Sequence, residues 1–197
     1  MVNEKEEDLI LAGAIIVFTG TILAALGQTQ ETIFNNRDGV FLVAKGNGVE
    51  AFGNVLQAIG RSKSEKPENL SILGSWIQAV GNSTNSLASE IQFLDSGLEG
   101  IRLNALGSGV QSLGAELEAV AASKVGNNLE VTGYELISLG AIFDAIGNLY
   151  LLRKMGNKGD LLSFIGSWTQ VAGAAIGVYV AIQVEEVEDE KKDFWHR

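Results

Sequence analysis

The chain lacks cysteine and contains a single proline among its 197 residues. Without cysteine, disulfide bonds and thiolate metal sites are excluded. The lone Pro67 and the low aromatic content of 7% favour long helices over a β-sandwich. The only histidine, His196, is the penultimate residue. We therefore expect it to belong to a frayed tail and not to serve as a ligand or a general base.

Charged residues are also scarce, at 19% of the chain, and the formal net charge is -10 at pH 7. Proteins that bind nucleic acid need a basic face, so this balance argues against a nucleic-acid partner. The first ten residues, MVNEKEEDLI, are acidic where a secretory signal is basic. We therefore expect no secretion signal and no export by that route, which predicts a cytoplasmic location.

Glycine, in contrast, is abundant and recurs every seven residues. Glycine inside a helix costs about 1 kcal/mol relative to alanine. A chain that repeats this cost is expected to recover it through close approach of helices, so the heptad glycines are predicted helix-contact residues. They are Gly13, Gly20, Gly46, Gly53, Gly60, Gly74, Gly81, Gly107, Gly114, Gly133, Gly140, Gly147, Gly166 and Gly173.

The spacing of these glycines predicts an all-α fold of six long helices. Long and short steps alternate between successive units, so the natural repeat is a pair of helices. We predict one helical-repeat domain over 1–197, a glycine-heptad close-packed bundle made of three antiparallel hairpins. The predicted hairpins cover about 9–60, 68–124 and 129–184, with linkers at 28–39, 61–66 and 155–160 and a charged, mobile tail at 185–197.

Each unit follows the order Gly, Asn or Ser, any residue, apolar, Gln or Glu, Ala or Ser, apolar, Gly. Clear copies are GNVLQAIG at 53–60 and GSWIQAVG at 74–81. At 100° per residue the two apolar positions share one side, which we interpret as an ordinary core stripe. The opposite side is small, polar and nearly uncharged, and we expect it to contact other helices and other copies. Hydrogen bonds across that contact are expected from Gln57, Gln78, Gln111 and Gln170. The alternative is that the small face meets water.

No arrangement of residues indicates an active site. The glycines at 107–114 lie inside the helical heptad and lack the strand that precedes a phosphate loop. No serine or threonine has a histidine to activate it. We expect no enzyme activity, no catalytic, cofactor or metal site, and no small-molecule substrate. The single acids on the helices are interpreted as surface charges: Glu116, Glu118, Glu135 and Asp144.

Two stretches, 9–27 and 161–184, are uncharged and approach the ~20 apolar residues that span a bilayer. The second contains small residues every four positions, from Gly173 to Ala181, as membrane helices use at contacts. The amides and charges on the other helices count against a membrane. The alternative is that the first and last helices form the buried centre of a soluble bundle.

The recurring Gly-Asn/Ser-x-apolar-Gln-Ala-apolar-Gly units, from Gly13 to Gly173, resemble the glycine-rich repetitive proteins of unknown function found in spore-forming bacteria. The resemblance implies no activity and no functional residue, and adds the spore as an expected location. Our leading functional prediction is a structural, non-enzymatic protein that self-assembles into a homo-oligomer through its small uncharged faces. The alternative is a membrane-inserting or pore-forming protein that uses 9–27 and 161–184.

Overall fold

The computed structural model describes the backbone of residues 4–64, 67–95 and 97–195, and the side chains of 8–64, 67–95 and 97–184. His196 and the side chains of the charged tail lie outside the described residues. The described part contains six helices and no strand, which confirms the all-α fold of antiparallel helical hairpins. The helices are α1 (Glu4–Phe34), α2 (Asp38–Lys63), α3 (Asn69–Leu94), α4 (Leu98–Lys124), α5 (Asn128–Leu152) and α6 (Gly156–Trp195).

The helices are longer than the glycines suggested. α1 continues past Gly27 to Phe34, α2 continues past Gly60 to Lys63, and the expected turn at 155–160 is almost wholly the first turn of α6. Glycine was an unreliable end signal here because the heptad glycines face a neighbouring backbone inside the helices. Left-handed residues mark the actual ends: Asn35 after α1 and Lys154 after α5, with φ of 51° and 60°.

The six helices form a closed ring. Each helix packs against its neighbours in the sequence, and α1 packs against α6. Within the described residues, no backbone of one helix lies close to that of a helix further round the ring. The interpretation of the first and last helices as a buried centre is therefore wrong, because α1 and α6 each pack against two neighbours in the ring, as the other helices do.

Inside each hairpin, glycines of the two helices lie directly opposite one another. A Cβ atom added at Gly53 would lie 2.7 Å from the carbonyl oxygen of Gly13, and one added at Gly81 would lie 2.8 Å from that of Gly107. Such distances leave no room for a side chain. The opposed pairs are 13/53, 20/46 and 27/39 in the first hairpin, 74/114 and 81/107 in the second, and 133/173, 140/166 and 147/159 in the third. Gly60 is buried in α2.

The polarity of the ring is the reverse of the expected one. Apolar positions that were expected to form the core point outward, with Phe52, Val80 and Leu113 exposed at 57%, 58% and 64%. The interpretation as a core stripe is therefore wrong. The small polar face turns inward, because the glycines on it bring the paired helices together. Apart from alanines, the buried apolar residues in the described part are Val17, Val40, Ile137 and Val180.

Candidate functional site: the polar interior

The space inside the ring is lined by amides, hydroxyls and acids, and we call these side chains the polar interior. They come from all six helices, so the interior is a feature of the whole ring. Its buried members include Thr21, Asn47, Glu50, Asn54, Gln57, Gln78, Asn82, Asn85, Asn104, Ser108, Gln111, Ser112, Glu118, Ser138, Asn148, Ser163, Ser167 and Gln170. A core of this composition cannot hold the ring together by burying apolar side chains, so the glycine-lined seams carry the packing.

The four glutamines that were predicted as contact residues all lie in this interior and all are buried. Each stands four residues after a heptad glycine, and three acids occupy the same position of the repeat: Glu50, Glu118 and Asp144. Glu118 is 1% exposed and Asp144 lines an internal cavity, so their interpretation as surface charges is wrong. Glu116 and Glu135, which stand elsewhere in the repeat, are exposed as expected.

Near the end of the ring where the hairpins are linked to each other, an ion pair joins three hairpins. Nη1 of Arg61 in α2 donates to Oε2 of Glu118 in α4 at 2.5 Å, and also donates to the hydroxyl of Ser75 in α3. Nη2 of the same guanidinium donates to the hydroxyl of Tyr134 in α5. Nε2 of Gln78 donates to the second oxygen of Glu118 at 2.8 Å. Both carboxylate oxygens of Glu118 are therefore hydrogen-bonded.

Halfway along the ring, polar side chains from five helices meet, and we call them the middle layer: Glu50, Asn82, Gln111, Asp144 and Gln170. Nε2 of Gln111 donates to Oε1 of Gln170 at 2.7 Å, and Nε2 of Gln170 donates to Oδ2 of Asp144 at 2.7 Å. This chain of hydrogen bonds connects α4, α6 and α5 across the interior. Asn82 is completely buried, its amide interacts with the carboxyl group of Glu50, and its Oδ1 has no hydrogen-bond partner within the described residues.

Two cavities lie on either side of the middle layer. The first, of about 60 Å³, opens toward the end at which the two helices of each hairpin are joined, and we call it the acidic cavity. Its lining contains the carboxylates of Glu31, Glu50, Asp144 and Asp160 and no basic side chain. The second, of about 120 Å³, is bounded by Arg61 on one side and largely by the apolar and small residues of α1 and α6. A water needs about 10–15 Å³ by this measure, so each cavity has room for several.

The rims of the ring carry ordinary exposed contacts. Glu68 caps α3 by accepting from the backbone N–H of Ser71 at 2.8 Å, and it also accepts from Lys124 at 3.2 Å. The hydrogen bond from Ser71 holds the pKa of Glu68 below its usual value. On the outer surface, Lys45 and Glu90 form an exposed ion pair at 3.7 Å.

Sequence reasoning missed the acids of the interior and Arg61, although a signal for the acids existed. Glu50, Glu118 and Asp144 share the repeat position of the buried glutamines, so the repeat alone could have placed them on the same face. Arg61 carried no such signal, because it follows Gly60 and was assigned to a hinge. Among the described residues, no three histidine, cysteine or acidic side chains are grouped closely enough to hold a metal ion.

Residues 8–178 match the model of a family of unknown function, DUF6944, and the chain belongs to this family. Comparison with curated proteins and with solved structures finds no match. Three helices of the structure are long and apolar enough to cross a membrane: Asp8–Phe34, Asn128–Leu152 and Gly156–Val184. The first and third include the two stretches expected from the sequence, and the second, in α5, was not expected.

Proposed function

We propose that the chain is a non-enzymatic integral membrane protein, in which a closed ring of six helices holds a polar interior within the bilayer and binds small hydrogen-bonding solutes there. The observation that carries the proposal is the reversed polarity: amides and acids lie inside the ring, and Leu, Val, Ile, Phe and Trp lie outside it. In water this arrangement would expose apolar surface on every side. In a bilayer the apolar side chains meet lipid, and the polar ones are removed from it.

The distribution of the exposed apolar residues favours lipid over a protein partner. They occur on all six helices, for example Leu26 on α1, Leu73 on α3 and Leu139 on α5. A single interface with another protein covers one side of a molecule, whereas lipid covers the whole circumference. Large contiguous apolar surfaces on soluble monomers are rare, so a covering of some kind is required.

The helices α2, α3 and α4 are less apolar than the other three and are not among those apolar enough to cross a membrane alone, so their placement in the bilayer rests on their packing in the ring. Their polar residues are concentrated on the inner face, as in Asn47, Asn54 and Gln57 of α2. The outward charges lie toward the helix ends. On α4 the uncharged stretch is 103–115, about 20 Å at 1.5 Å per residue. At this part of the ring the bilayer would have to thin locally, or the side chains of Arg102 and Glu116 would have to extend toward the lipid headgroups.

Self-assembly stays a prediction, but its expected surface changes. The glycine faces that were assigned to contacts between copies are occupied inside each hairpin. A homo-oligomer would instead use the apolar outer face. Its copies would contact each other through that face either within the membrane or, in a soluble assembly, where lipid would otherwise lie. A location in the spore and a cytoplasmic location likewise stay predictions.

Cell fractionation tests the proposal. We expect the expressed chain in the membrane pellet, resistant to high salt and alkaline carbonate, and released by detergent. A chain that remains in the supernatant without detergent would contradict membrane insertion. If that soluble form is a large oligomer by light scattering, the apolar outer face is covered by other copies, and the self-assembly prediction takes the place of the membrane proposal.

A further inference from the structure

The charge of the acidic cavity indicates what kind of solute it takes. Four carboxylates from four helices face this space, and the rest of its lining consists of amides, hydroxyls and a few apolar side chains. A cleft with charges of one sign and walls of low dielectric constant concentrates ions of the opposite sign. The inner pair is Glu50 and Asp144, and the outer pair is Glu31 and Asp160, whose carboxyl groups lie near each other at the mouth.

The inner pair has no counter-charge in the protein. Glu50 of α2 and Asp144 of α5 lie close enough for their carboxylates to repel each other. Neither takes part in an ion pair among the described residues, where the buried ion pair is that of Arg61 with Glu118. Buried charges in proteins are normally paired with an opposite charge or with a bound ion. Asp144 does accept a hydrogen bond from Gln170, but that donor is neutral.

A second observation, independent of the acids, points to the same place. Asn82 is 0% exposed, its side-chain amide interacts with the carboxyl group of Glu50, and its Oδ1 has no hydrogen-bond partner within the described residues. Buried amides in proteins are almost always hydrogen-bonded. The amide oxygen is, like a carboxylate oxygen, a ligand that hard cations prefer. A neutral oxygen and two carboxylates are therefore gathered in the middle layer.

We propose that Glu50 and Asp144 bind a monovalent cation, of the size of sodium, potassium or ammonium, at the inner end of the acidic cavity, with the unpartnered amide oxygen of Asn82 next to Glu50. A volume of about 60 Å³ admits one such ion with a few waters and excludes bulky organic cations. Divalent ions are disfavoured because no three acidic side chains of the described part are grouped closely enough for a metal centre. This inference rests on the proposed function in one respect: it names the solute that the polar interior binds.

The first measurement is thermal unfolding of the purified full chain in detergent. Chlorides of sodium, potassium, ammonium and N-methylglucamine are compared at one pH and one ionic strength. A bound ion stabilises the folded form in proportion to the logarithm of its concentration above the Kd, so the midpoint is expected to rise with at least one small cation. No rise is expected with N-methylglucamine, which is too large. Equal midpoints in all four salts would overturn the proposal.

The second measurement is equilibrium binding of radioactive sodium and rubidium to the wild type and to matched variants. Glu50→Gln and Asp144→Asn keep the size of the side chain and remove its charge, and each is expected to weaken binding by at least about tenfold. Glu99→Gln is the control, because that side chain is exposed at 67% on the rim. If Glu50→Gln does not fold, Asp144→Asn alone decides. Wild-type binding in a folded charge-removal variant would contradict the site.

Two further outcomes separate this inference from the proposed function. If the midpoint depends on pH but not on the cation, the two carboxylates hold a proton instead, and the cation proposal is wrong. A chain that fractionates with membranes but binds neither label refutes the cation site and leaves the membrane proposal standing. A soluble chain that binds the label refutes the membrane proposal and leaves the site standing.

Discussion

Replacing Gly81 with alanine tests whether the opposed glycines hold the hairpins together. The added Cβ atom would lie 2.6 Å from the backbone nitrogen of Gln111 and 2.8 Å from the carbonyl oxygen of Gly107. Both are backbone atoms of α4, so neither can move aside by changing a rotamer. The helices α3 and α4 must separate, or the backbone must distort, for the methyl group to fit.

Two opposing contributions set the magnitude. Alanine is the better helix former by about 1 kcal/mol, which favours the variant. Overpacking costs about 1–3 kcal/mol, and contacts with backbone atoms place this site toward the upper end. We therefore expect Gly81→Ala to lose about 1–2 kcal/mol of unfolding free energy. Gly109→Ala is the matched control, because it lies on the same helix pair and its Cβ atom would meet nothing within 4 Å. That variant should be stabilised by up to about 1 kcal/mol.

The assay is thermal unfolding of both variants in the same detergent, monitored by circular dichroism and by tryptophan fluorescence. For a chain of this length, 1 kcal/mol corresponds to a shift of about 2–4 °C. The two variants should therefore move in opposite directions from the wild type. Gly140→Leu at the seam of the third hairpin should be worse than Gly81→Ala, since Gly166 and Gln170 lie against it. If Gly81→Ala and Gly109→Ala raise the midpoint equally, the seam is not tight and the opposed glycines do not hold the hairpin together.

Two other predictions concern the interior ion pair and the outer face. Arg61→Met should lower the unfolding free energy by about 3–5 kcal/mol, because it leaves Glu118 buried without a counter-charge. The double variant with Glu118→Met should recover part of that loss in the same melting assay, and no recovery would show that the two side chains act separately. Leu113→Asp, near the middle of α4, should lower the fraction of protein in the membrane pellet, since an acid there costs about 2.5–3.5 kcal/mol on insertion. Unchanged fractionation of Leu113→Asp would contradict contact of this face with lipid.

The number of helices and their pairing were readable from the sequence, because the glycine positions carry both. In an antiparallel pair, a glycine every seven residues on one helix meets a glycine every seven residues on the other, as Gly13 and Gly20 meet Gly53 and Gly46. The closure of the ring could not be predicted from the sequence, because no glycines in the described parts of α1 and α6 lie opposite one another where these helices meet. It is marked instead by single contacts such as the indole of Trp168 donating to Thr29 at 3.1 Å.

The sequence-based prediction placed the wrong helix face inside the ring: the apolar face was expected there, and the polar face is found there. Helical periodicity separates two faces but does not say which one meets the solvent. The inference that Phe52 and Leu113 face the core assumed water outside, where apolar side chains are buried. The repeat contained contrary information, because a close helix contact lined by glycine places the adjacent Asn and Gln positions inside as well. Arg61 was missed for another reason, since α2 continues past Gly60 and carries the side chain into the interior.

The two halves of the interior differ in a way that bears on the choice between a binding site and a pore. A cation in the acidic cavity meets carboxylates as far as the middle layer. Beyond it lie the guanidinium of Arg61 and a cavity in which apolar side chains such as Val17 and Val180 share the lining with a few amides and with Glu130. The guanidinium opposes the passage of a cation by repulsion, and the apolar walls offer it fewer ligands than the acidic cavity does. The end with Arg61 therefore contains one cation beside two acids, Glu118 and Glu130, whereas the acidic cavity has no basic side chain in its described lining. This asymmetry favours a polar compartment entered from one side over a channel open at both ends.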